Sequence, residues 1–153
     1  MARQPVLIRL AVPSEKRALE ALQRRASLNN PGDREALLAN PDAIEVPSEQ
    51  IESGGVLVAE VSGAAVGFAA VVPREDGDVE LDALFVAPEL WGRGIGAALV
   101  DRCLSEARVK GALALHVVGN PHAEGFYRKC GFLCVGETQT RFGVGLLMRQ
   151  DLY

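Results

Sequence analysis

At 153 residues the chain is long enough for one domain with its own core. Hydrophobic residues at 48% and charged residues at 24% are ordinary for a globular protein, and a net charge of -4 argues against a general nucleic-acid binder. No apolar run reaches membrane-spanning length and no signal peptide opens the chain, so a cytoplasmic protein without a membrane partner is expected.

Val6 to Ala11 reads as a short strand. Pro13 and Ser14 open a helix, with Ser14 placed as the N-cap and Leu19, Leu22 and Ala26 on one face. Asn29-Asn30-Pro31-Gly32 breaks it. Asp33 is placed to cap a second short helix through Ala39, which Asn40-Pro41 ends. Ser48 starts a further turn that closes at Gly54-Gly55, so Leu28 to Ser53 is expected as irregular helical surface. Val56 to Val61 and Ala65 to Val72 are apolar strands joined by Ser62-Gly63, a hairpin turn. Glu75-Asp76-Gly77-Asp78 makes the next turn.

Asp78 to Val86 alternates polar with β-branched and aromatic residues, a strand signal, until Pro88 stops the ladder for want of an N–H. Trp91-Gly92-Arg93-Gly94-Ile95-Gly96 follows. Ile95, Leu99, Cys103 and Ala107 then recur at helical spacing as far as Lys110-Gly111, where Gly111 is placed as the C′ residue. Ala112 to Val118 is a continuous apolar strand of the kind found in the middle of a parallel sheet. Asn120 is placed as N-cap and Pro121 at the first position of a helix that Gly131 ends. Phe132 to Thr138 and Phe142 to Met148 form a closing hairpin. The fold class expected is α/β (α+β): a mixed, mostly antiparallel sheet flanked by helices, in a single domain over residues 1–153.

Alternate glycines at the mouth of a helix bare backbone N–H groups at the positive end of the helix dipole, a nest suited to a phosphate. Gly92-x-Gly94-x-x-Ala97 also fits a loose dinucleotide fingerprint. That reading needs an acid at the end of the next strand, and Ala112 to Val118 offers none. No Gly-Lys-Ser/Thr follows, which removes the P-loop. The remaining alternative is a glycine turn that only packs a helix close to a sheet.

LFVAPELWGRGIGAALV strongly resembles the acyl-CoA-binding segment of the GNAT superfamily of N-acetyltransferases, usually hydrophobic-x-V-x-P followed by Gln/Arg-x-x-G-x-G/A. Arg93, Gly94 and Gly96 fall in register, with Trp91 where Gln or Arg is typical. Asn120, Ala123 and FYRKCGF from Phe126 to Phe132 resemble the family's second segment, N-x-x-A-x-x-F/L-Y-x-x-x-G-F. The resemblance implies a sheet with a splayed parallel strand pair and acetyl-CoA as co-substrate. The backbone of Leu84, Phe85 and Val86 would pair with the pantetheine arm, the Val86 N–H facing the thioester oxygen. The pyrophosphate would lie on Trp91, Gly92, Arg93, Gly94, Ile95, Gly96 and Ala97. Asn120 and Ala123 would lie along the arm, although Asn120 as an N-cap needs no such role. Tyr127 matches the family's acid, placed to protonate the leaving sulfur; the other reading is a ring that fills core space.

An amine nucleophile must lose a proton. Glu80 leads as base, with Asp82 on the same strand face and His116 on the next strand as alternatives. His116, mid-strand, also fits a satisfied core histidine, and His122 a surface one. Acids at Asp76, Asp78, Glu80 and Asp82 would suit a cationic amine, from a small molecule or a peptide end. Cys103, Cys130 and Cys134 are odd in number and lack zinc spacing, which fits buried thiols of a reducing compartment; no metal is expected. Relatives often pair as homodimers, but no stretch of this chain marks an interface. Two other functions stay open: a CoA-binding sensor or interaction module without transfer, and transfer of a different acyl group.

Overall fold

Local chemistry ends the helices where the sequence places its glycines. The structure, a computed structural model, describes residues 5–153. In the helix α4 (Ile95–Val109), Gly111 takes φ 81°, so its N–H reaches Arg108 O and the Ala112 N–H reaches Ala107 O. This left-handed residue closes orphan carbonyls that any L side chain would strain. Gly131 does the same for α5 (Glu124–Lys129), and Gly54 for α3 (Ser48–Glu52). The other helices are α1 (Lys16–Leu28) and α2 (Pro31–Ala39).

The strands are β1 (Leu7–Leu10), β2 (Val56–Val61), β3 (Ala64–Pro73), β4 (Val79–Val86), β5 (Ala114–Gly119), β6 (Leu133–Thr140) and β7 (Gly143–Asp151). They form one sheet in the order β1-β2-β3-β4-β5-β7-β6. The pairs β1–β2, β2–β3, β5–β7 and β6–β7 are antiparallel, and β4–β5 is parallel. The mixed, mostly antiparallel sheet expected from the sequence is therefore found. The parallel ladder covers Val79↔Leu115, Glu80↔His116 and Leu81↔Val117, whereas β4 runs on to Val86. That early end is the splay the resemblance implies.

Contacts group the chain into two compact units. One runs through Ala70 and includes Ala83–Leu99; the other holds Val71–Asp82 and Val100–Tyr153. In the first, Leu19 and Leu22 of α1, Ile51 of α3, Val56 and Val58 of β2 and Phe68 of β3 form the core. Phe85 packs on it at 5.7 Å between ring centroids with Phe68. Ser62 and Gly63 both take positive φ, so the β2–β3 hairpin turns as a two-residue loop. In the second, Leu115, Phe132 and Met148 are almost wholly buried.

Some sequence expectations shift. Ser14 is not a helix cap, because it lies inside a 3-10 turn, Pro13–Glu15, that precedes α1. The Glu15 carboxylate accepts the Val12 N–H at 2.9 Å and is itself gripped by Arg9, so a partner on β1 moves the start of the helix. Asp33 is not a cap either: Asn30 accepts the Gly32 N–H, and Asp33 sits in the first turn of α2. The strand expected from Ala112 begins at Ala114, since the Ala112 N–H is used to close α4. Among the described residues no helix is long and apolar enough to cross a membrane.

Candidate functional site

In the first unit, β4 ends at Val86 and a 3-10 turn, Pro88–Leu90, carries the chain to the glycines. Pro88 suits this place, having no N–H for the ladder. Gly92 and Gly94 take φ 79° and 82°, and a Cβ on either would meet nothing within 4 Å. These two glycines are there for backbone conformation, not for packing. The first helical bond is Ala98 N–H to Gly94 O. Among the described residues the N–H groups of Gly92 through Ala97 have no acceptor within the protein. Gly92, Arg93 and Gly94 are exposed, while Ile95 is buried and anchors the helix. The dipole adds positive potential at the same place.

Trp91 differs from its expected use. Its N–H goes to Pro88 O at 3.3 Å, and its indole Nε1–H donates to Val86 O at 2.8 Å. Both N–H donors are used on the protein's own backbone, and the indole ties Trp91 to the end of β4. It also occupies one lone pair of the Val86 carbonyl. Leu84, Phe85 and Val86 are themselves half-buried.

In the second unit, Asn120 accepts the His122 N–H at 3.0 Å and caps the 3-10 turn Pro121–Ala123 that leads into α5. Tyr127 is 8% exposed. Its ring meets Phe126 and Phe132 edge-on at 5.2 and 5.5 Å. A Cβ on Gly119 would lie 3.4 Å from the Tyr127 ring, so the ring packs directly against the end of β5. Ala123 is half-buried in the turn between them.

The acids do not form an open anionic patch. Glu80 is held by Arg74 at 3.2 Å, and Asp76 by the same guanidinium at 3.1 Å. Asp78 Oδ1 accepts the N–H groups of Leu113 and Ala114 at 2.9 and 3.2 Å, and its Oδ2 lies 2.8 Å from His116 Nε2. A carboxylate only accepts, so His116 donates from Nε2. His116 holds the Asp78 carboxyl below the usual range, with the two amides adding to it against burial. Arg74 likewise holds Asp76 low. Asp76, Asp78 and His116 bring ligand-type atoms within 4.8 Å of one another, a grouping these internal partners account for. Asp82 on β4 and Asp76 in the turn before it are the exposed members of the four acids. The Asp78–His116 pairing escaped the sequence because Asp78 lies just before β4 and His116 on β5; only the parallel register juxtaposes them.

The glycine nest at the start of α4, following a strand whose parallel ladder ends early, matches the pattern on which the resemblance rests. A family model described as acetyltransferase (GNAT) family matches residues 19–132. The chain belongs to the GNAT family. An uncharacterized N-acetyltransferase of Mycobacterium bovis is 36% identical to this GNAT chain over 91 residues, 58% of each. The match thus spans less than two thirds of that curated relative. A GCN5-related N-acetyltransferase from Rhodopseudomonas palustris shares the fold with a TM-score of 0.78 at 22% identity, covering 99% of this chain and 98% of its own. The yncA protein of Salmonella typhimurium, solved with its cofactor acetyl-CoA, gives a TM-score of 0.73 at 22% identity, covering 97% and 95%.

Proposed function

We propose that this GNAT protein transfers an acetyl group from acetyl-CoA to an amine, of a small molecule or of a peptide or protein N-terminus, by direct attack in a ternary complex within one catalytic domain. The observation that carries the reading is the run of N–H groups from Gly92 to Ala97 without acceptors among the described residues. The yncA neighbour, which holds acetyl-CoA on the same fold, supports it.

Acetyl-CoA supplies an activated thioester. The nest holds its diphosphate by backbone, at low cost because the positive φ at Gly92 and Gly94 is already in place. Phe85 and Leu84 offer backbone to the pantetheine arm, and the Val86 N–H stabilises charge on the thioester oxygen. Glu80, fixed by Arg74, takes the amine proton, and the ion pair sets its orientation. Tyr127 donates a proton to the departing sulfur, with Asn120 and Ala123 beside the arm. Three free thiols, Cys103, Cys130 and Cys134, fit a cytoplasmic setting.

Calorimetry with CoA, followed by thiol release from acetyl-CoA across a panel of small amines and peptide N-termini, tests this. Binding with release in some amine supports the reading. No heat with CoA overturns it, and binding without turnover in any amine assigns the chain to binding alone.

A further inference from the structure

The peptide between Val86 and Ala87 is gripped at both ends. Its carbonyl accepts the Trp91 indole N–H at 2.8 Å, and its N–H donates to Val66 O at 2.8 Å. A peptide unit is planar, so two bonds on opposite edges fix its orientation. Both grips are built for the purpose. Ala59 pairs with Gly67 and Glu60 with Ala65, so the β2–β3 register skips Val66 and leaves this residue bulged on β3. On the other side, Leu90 N–H to Ala87 O at 2.9 Å and Trp91 N–H to Pro88 O at 3.3 Å curl the turn back until the indole reaches the strand it has just left. Arg25 of α1 holds the middle of that turn through both oxygens of Glu89 at 2.8 Å.

We infer that Trp91 is a positioning residue that fixes the end of β4, and through it the direction of the Val86 N–H. This rests on the proposed acetyl transfer, in which that N–H meets the thioester oxygen. With the following peptide immobilised, this donor is joined to a fixed group through only two torsions, those about the Val86 Cα–C and N–Cα bonds. An oxyanion donor works by being aimed before the charge develops. Indole suits the task because it donates and never accepts, so it commits to the carbonyl. The same bond occupies one of the two lone pairs of the Val86 carbonyl.

The test is Trp91→Phe in the full chain, which keeps a ring and loses the donor. Trp91 is 45% exposed, so the fold tolerates the change. In the protein without ligand, amide hydrogen exchange at Ala87 should speed up at least about ten-fold, as its peptide loses one of two anchors. Exchange at Ala87 equal to wild type overturns the inference whatever the activity. With acetyl-CoA and an accepted amine, kcat should fall about ten-fold, less than the roughly 100-fold or more for removing an oxyanion donor outright, while CoA affinity changes less than about three-fold. A variant with wild-type kcat overturns the positioning role, as does a loss confined to CoA affinity. Wild-type protein that gives no heat with CoA overturns the transferase reading instead, and leaves the exchange measurement to decide the grip itself.

Discussion

His116 Nε2 lies 2.8 Å from Asp78 Oδ2, with both side chains about 15% exposed, at 15% and 14%. The Asp78 carboxyl is held below its usual value first by His116 and then by the Leu113 and Ala114 amides. A depressed carboxyl stabilises the fold in its ionised form, so its contribution is complete above the unfolded value near 3.8 and is lost as pH falls below that. Asp78→Asn should lower the melting temperature at pH 7 by about 3 °C, for a loss on the order of 1 kcal/mol. The gap from wild type should narrow below pH 3.8. Melting curves across pH check it; a gap that widens in acid refutes it.

Gly67 on β3 lies beneath the end of β4. A Cβ there would sit 3.1 Å from Phe85 O, 3.3 Å from Leu99 Cδ1 and 3.4 Å from Val86 Cγ2. The nearest atom is backbone and cannot swing away. Gly67→Ala should cost about 1–3 kcal/mol and displace Phe85 and Val86. Denaturant unfolding measures the stability, and kcat should fall with it.

Gly94→Ala meets no steric obstacle, because nothing lies within 4 Å of the added carbon. Its cost is conformational, about 1–2 kcal/mol at φ 82°. Relief of that strain turns the nest N–H groups, so CoA binding should weaken roughly ten-fold. Calorimetry is the check; unchanged affinity would show that the nest is not the CoA contact.

Tyr127→Phe keeps the edge-on ring contacts with Phe126 and Phe132 and removes only the hydroxyl. If the phenol is the acid, kcat falls about 100-fold with little change in KM. Equal turnover in steady-state assays removes Tyr127 from the chemistry.

Glu80→Gln should lower kcat/KM most at neutral pH. Alkyl amines have pKa values near 10, so raising pH supplies free amine from solvent and the deficit should shrink. A deficit constant from pH 7 to about 10 would make Glu80 a structural partner of Arg74 rather than the base.

The nest at Gly92 to Ala97 was legible in the sequence because its cause is local: glycine alone adopts these φ values freely, and a helix start always leaves N–H groups unmet. Gly111 and Gly131 were legible as stops for the same reason. The strands carried their own pattern, and the alternation along β4 separated Val79 and Leu81 from Glu80 and Asp82. Partners were not legible. Neither the hold of Arg74 on Glu80 nor that of His116 on Asp78 is written in the spacing of those residues. Trp91 read as a ligand contact because its motif position says so, yet its indole turns back to Val86.

By itself, then, the sequence determined which backbone segments could be strand, helix or left-handed turn, since torsional preference is a property of each residue and its neighbours. Only the tertiary structure decided which donors meet which acceptors. A bulge at Val66, a register that sets Glu80 beside His116, and a turn that folds Trp91 onto Val86 depend on distances closed by the whole sheet. A hydrogen bond requires its atoms within about 3.5 Å, and no one-dimensional pattern fixes that separation.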